Sequence, residues 1–147
     1  MKSIPRITVH RRRGAILSME LILVLPLFLL LLFAIVEFTM LTAAQTRIAN
    51  AAHAGARQLC LTNAPAETVR KDVIQSLGSR LGSGATVEVT DPGKAGDRIN
   101  IRVNVPMQNA APDLLWMTGF SVRNRVMAAD ALMVREHDTV SAGQTQL

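Results

Sequence analysis

From Leu21 to Val36 the chain carries no charged or hydrogen-bonding side chain, and this run limits the fold more than any other feature of the sequence. As α-helix it rises about 24 Å. The flanks Ala15–Met19 and Phe38–Leu41 carry the apolar length past the ~30 Å hydrocarbon core of a bilayer. Between Ala15 and Ala44 the only charged residues are Glu20 and Glu37. A secretory signal has a shorter apolar core of about 7–15 residues followed by a cleavage site. Here the helical pattern continues through Ala43-Ala44-Gln45, so the segment reads as a membrane anchor.

Charge sets the expected orientation. Lys2, Arg6, Arg11, Arg12 and Arg13 precede the apolar run with no acidic residue among them. Basic residues directly before a membrane helix keep that end in the cytoplasm, so the reading is N-terminus inside, C-terminal domain outside. The formal net charge of +5 could suggest nucleic acid, but it is concentrated in this leader. Base stacking needs aromatic side chains. The chain has no Tyr, one Trp and four Phe, three of them inside the apolar block, so no nucleic-acid partner is expected.

Three residues inside the block stand out. Pro26 removes one helix hydrogen bond and favours a kink, which membrane helices tolerate. Glu20 and Glu37 place carboxyl groups at the two ends of the hydrocarbon, where such groups either serve a function or reach for the headgroups. Glu37 carries the same two readings on the outer side, reaching the interface being the plainer one.

The basic leader, Gly14-Ala15, Glu20, LVLPLFLLLLFAIVEF and the small-residue segment ANAAHAGAR together resemble the TadE-like family of pseudopilins, over about Arg12 to Arg57. That family supplies minor components of tight-adherence pili and related type IV-like secretion systems. The resemblance implies a bacterial inner-membrane location and a pilin-like fold. It also implies other pilin-like subunits, a prepilin peptidase and an assembly platform as partners, besides the lipid bilayer. In type IV-like prepilins the leader is removed and a glutamate stands fifth in the mature chain. Glu20 matches that glutamate, as a candidate partner for the new N-terminal amine of a neighbouring subunit. Cleavage after Gly14 would place Glu20 sixth, whereas cleavage after Ala15 would place it fifth with Ile16 leading. The candidate processing residues are therefore Gly14, Ala15 and Ile16, and an uncleaved leader remains an alternative.

Beyond the span, Leu41, Ala44, Ile48, Ala51, Gly55 and Leu59 recur at helical intervals as a stripe of mostly small side chains. Such a stripe packs closely against either another subunit or the protein's own sheet. Asn63-Ala64-Pro65 interrupts the helix, and a second helix is predicted from Ala66 to Leu81, with Val69, Val73, Leu77 and Leu81 on its apolar edge. Two strands follow, over Ala85–Thr90 and Arg98–Val105, joined by the turn residues DPGKAGD. Ala111–Gly119 is expected to cover the sheet as a short helix or apolar loop. Ser121–Val134 fits a third strand, interrupted near Ala128–Asp130, better than a helix.

The expected fold class is α+β: one N-terminal transmembrane helix running into a small domain with a short antiparallel sheet. The expected division is a leader over 1–14, a span over 15–44, an extracytoplasmic domain over 45–135 and a polar tail over 136–147. No catalytic constellation is visible. His10, His53 and His137 fall in different parts of the chain, and no metal site or cofactor is expected. Asp91 and Asp97 sit in a turn, where calcium is a weak alternative to backbone geometry. Cys60, the only cysteine, is expected to be a small buried residue. Two function classes follow: a structural assembly subunit, implied by the resemblance, and a stand-alone membrane-anchored binding module.

Overall fold

The computed structural model describes the backbone of residues 11–62, 64–91 and 96–135, with side chains from Ser18 onward. Helix α1 runs unbroken from Arg11 to Thr62, with Pro26 inside it. Its 52 residues correspond to about 78 Å of helix. Helix α2 spans Ala66–Gly82, and strands β1 (Thr86–Thr90), β2 (Arg98–Pro106) and β3 (Val126–Val134) follow. The strands form an antiparallel sheet in the order β1-β2-β3. The class is α+β with one candidate membrane helix.

Helix α1 has two environments. From Met19 to Phe38 nearly every large apolar side chain is exposed, Leu23 and Phe38 by more than two thirds. A core helix of a water-soluble protein would bury these groups, since each buried Leu or Phe contributes about 1.5–3 kcal/mol. From Ala44 onward the same helix is the spine of a core. Ala44, Ile48, Ala51, Ala52, Ala56 and Leu59 meet Val69, Val73, Leu77 and Leu81 of α2 and the inner face of the sheet.

Strand β2 supplies the centre of that face. Ile99, Ile101, Val103 and Val105 are all fully buried, while Arg98, Asn100, Arg102 and Asn104 alternate outward, as period-two geometry requires. Outward Arg102 lies opposite Asp130 of β3 and forms a bidentate pair with it at 2.7 and 3.2 Å. The hydrogen bond from Arg102 holds the Asp130 carboxyl below the ordinary carboxylate range. Both groups are about half exposed, so the pair fixes register more than it adds stability.

Strand β3 runs without interruption from Val126 to Val134, which corrects the expected break near Ala128–Asp130 and the expected start at Ser121. Its core-facing residues are Met127, Ala129 and Ala131, while Val126, Leu132 and Val134 face outward and are more than half exposed. Helix α1 crosses this strand, and the Ala side chains allow it to come near. Gln45 of α1 donates a 3.0 Å hydrogen bond to the Ala128 carbonyl.

The stripe on α1 also packs inward. Ala44, Ile48, Ala51, Gly55 and Leu59 are buried in the chain's own core and Leu41 packs at its margin. Gly55 is the tightest point, since a Cβ there would lie 2.6 Å from Val73 Cγ2 and 3.2 Å from Ile101 Cδ1. Val73 is β-branched and cannot swing clear. Gly55→Ala gains up to about 1 kcal/mol of helix propensity. Overpacking costs about 1–3 kcal/mol, so a net loss near 1 kcal/mol is expected. Thermal unfolding in detergent reads it, and a raised Tm would contradict the close approach.

Helix α2 contains a break that its apolar spacing does not reveal. Gly78 adopts φ 77° and ψ 173°, a conformation open to glycine, while the buried edge from Val69 to Leu81 continues across it. Pro65 starts the helix, its carbonyl accepting hydrogen bonds from the Thr68 and Val69 amides.

Candidate functional site at the end of the apolar run

Glu37 ends the uninterrupted apolar run, and the structure places it differently from the sequence expectation. It does not extend toward headgroups; it is 1 % exposed. Its Oε2 accepts hydrogen bonds from the backbone amides of Leu114, at 3.0 Å, and Leu115, at 3.1 Å. Oε1 is buried without a hydrogen-bond partner. The segment between β2 and β3, expected to cover the sheet, is thus fastened to α1 where the apolar run stops. Nothing in local sequence signalled this contact, which joins residues far apart in the chain.

The fastened segment is internally braced. The Asp113 carboxyl accepts hydrogen bonds from the Ser121 hydroxyl at 3.0 Å and the Val122 amide at 3.3 Å, and pairs with Arg123 Nε at 3.1 Å. These bonds draw the two ends of the loop together. At its tip, Trp116–Thr118 forms a single 3₁₀ turn ended by Gly119 at φ 88°. The Thr118 hydroxyl donates to the Leu115 carbonyl at 2.7 Å. Leu114 and Leu115 are half-buried, whereas Trp116 is 63 % and Met117 80 % exposed. The Arg125 guanidinium stands 5.2 Å from the Phe120 ring centre, within cation–π range.

On another side of α1, Met40 and Arg47 face Gly78, Arg80 and Asn109 across an open cleft of about 410 Å³. The break at Gly78 forms part of its wall. Both arginines are exposed.

The remaining candidates are dispersed. Glu20 is exposed on the apolar part of α1. Gly14, Ala15 and Ile16 lie in the first turns of the same helix. His53 is exposed, and His10 and His137 lie outside the described residues, as does the tail over 136–147. Cys60 is buried, its Sγ 3.7 Å from the Val134 carbonyl oxygen. Asp91, weighed as a calcium ligand, is paired with the Arg135 guanidinium, and the Asp97 carbonyl accepts from the Arg135 amide. Among the described residues no group of three or more His, Cys, Asp or Glu is placed to hold a metal ion. Pro92–Ala95 of the intervening turn lie outside the described residues.

These features define a class: a protein with one long apolar helix among the described residues, consistent with single-pass membrane anchoring and continuing without a break into a small α+β domain. Residues 16–57 match the family described as TadE-like protein, a family associated with the tight-adherence pilus. That family is structural and pilus-related rather than enzymatic. The match covers the exposed apolar helix, Glu20, Glu37 and most of the buried stripe, and stops before α2 and the sheet. No curated protein and no solved structure matches the chain significantly.

Proposed function

We propose that this protein is a TadE-like minor pseudopilin, a structural subunit held in the bacterial inner membrane by α1 until other pilin-like subunits recruit it. The carrying observation is the TadE-like match over residues 16–57, the stretch in which one helix passes from an apolar, exposed surface to a packed core. A subunit of this kind needs no reactive site. It needs a helix that is stable both in lipid and among neighbouring helices, with a folded domain rigidly attached. The continuity of α1 through Thr62 supplies the rigid attachment.

In this reading the basic leader stays cytoplasmic and the α+β domain lies outside. A prepilin peptidase removes the leader, and an assembly platform drives the subunit forward. Glu20 is then close to the new N-terminus. In hydrocarbon its carboxyl group is costly unless paired, and the amine of a neighbouring processed subunit would offset that cost.

The test is the N-terminus of the membrane-extracted protein, determined by intact mass and terminal peptide sequencing in cells with and without prepilin peptidase. A peptidase-dependent start at Ala15 or Ile16 is expected. An unprocessed leader in both strains would remove the processed-pseudopilin reading and leave a membrane-anchored binding module.

A further inference from the structure

The loop from Leu114 to Phe120 reads LLWMTGF, with no charged residue. It is neither buried in the core nor loose. Its base is closed by Asp113 with Ser121, Val122 and Arg123, its tip is wound into a 3₁₀ turn, and its start is bonded to Glu37. This braced tip exposes Trp116 and Met117, two large apolar side chains outside the long apolar run. Ordering a loop costs about 1–2 kcal/mol of backbone entropy per residue, and here the order serves to hold an apolar tip outside the core.

Its position indicates what the tip meets. Glu37 directly follows the apolar run and adjoins exposed Val36 and Phe38. Trp116 follows an amide that is itself hydrogen-bonded to Glu37, one Cα step of about 3.8 Å along the chain. The tip therefore lies beside the end of the apolar run on α1. Trp concentrates at the edge of the hydrocarbon because its ring is apolar and its N–H seeks the wet side. Of the neighbouring cations, Arg123 is paired with Asp113, while exposed Arg125 carries a charge that complements anionic lipid headgroups.

We propose that the Trp116–Met117 tip is a second membrane contact, seated among the headgroups and upper acyl chains of the leaflet into which the Glu37 end of α1 emerges. This rests on the reading of α1 as a membrane span. Two attachments would stop the domain from tilting or turning freely about the emerging helix, and so set which of its faces meets a neighbouring subunit.

Trp116 is the sole tryptophan, so the full-length protein carries its own probe. The protein is reconstituted into vesicles of phosphatidylcholine and phosphatidylglycerol, some containing lipid brominated near the headgroup end of the acyl chain. Flotation and alkaline extraction report the span independently of the tip. The expected result is stable insertion with blue-shifted emission that is quenched by the brominated lipid. Glu37→Leu, which unties the loop, should insert equally well and lose much of that quenching. An inserted wild-type protein with red, unquenched emission would place the tip in water and overturn the proposal while leaving the span intact. Blue but unquenched emission would place the tip against protein and also overturn it. Failure to insert would remove the span and the tip contact together.

Discussion

Glu37→Leu is expected to lower the stability of the extramembrane domain by about 2–3 kcal/mol and to release the loop from Leu114 to Phe120, because two partly buried amides lose their common acceptor. The leucine recovers some apolar burial and removes the unpartnered Oε1, so the loss is smaller than two orphaned amides alone would give. Glu37→Gln keeps an acceptor oxygen at the same reach and is expected to cost less than half as much. Hydrogen exchange at Leu114 and Leu115 in detergent or nanodiscs reads the effect directly. Both amides should exchange faster in the Leu variant and nearly as in wild type in the Gln variant. Unchanged protection in Glu37→Leu would show that the loop is held by its Asp113 closure alone.

A comparable effect is expected at the far end of the sheet. Arg135 follows β3 and is 1 % exposed at its side chain, and its guanidinium is paired with Asp91, just beyond β1. The pair ties the two outer strands together across the end of β2. Asp91→Ala deprives a buried cation of its paired carboxylate, for which about 3 kcal/mol is typical. In a domain of this size that corresponds to a Tm lower by about 15 °C. Replacing both residues, Asp91→Leu with Arg135→Leu, should recover most of the loss, since apolar groups of similar volume often substitute for a buried pair without penalty. A double-mutant cycle by thermal unfolding measures the coupling, and additive single losses would refute it. The same pairing accounts for the placement of Asp91, whose carboxyl group serves the sheet closure.

Legibility in the sequence followed the range of each interaction. The candidate membrane helix, α2 and β2 are written in local periodicity: a span-length apolar run, Val69-Val73-Leu77-Leu81 at helical spacing, and Ile99 to Val105 alternating with polar residues. Strand β3 was harder to read because its pattern is inverted. α1 crosses its inner face, which therefore holds Ala129 and Ala131, while the larger Leu132 and Val134 lie outside. A hydrophobicity pattern shows the face that gains most from burial, whereas here close approach of a helix selected small side chains instead. Gly78 offers no periodic signal either, since a single glycine in a helical pattern is compatible with both a straight and a broken helix.

The candidate site divides in the same way. The small-residue stripe could be found from spacing, Glu20 was singled out by resemblance, and Glu37 stood out as a charge at the end of the apolar run. What Glu37 does was not legible, because its partners are backbone amides that every residue possesses and that lie far along the chain. The sequence by itself determined that one helix is long and apolar enough to cross a bilayer, and that a helix and an alternating strand follow it. Both properties depend on which side chains neighbour one another along a single element. The tertiary structure alone decided that the stripe on α1 packs inward, that Asp91 closes the sheet onto Arg135, and that Glu37 holds a tryptophan-bearing loop against the end of the apolar run. Each of these depends on a buried polar group or a tight apolar face finding its complement in a distant segment, and that pairing exists only once the chain has closed on itself.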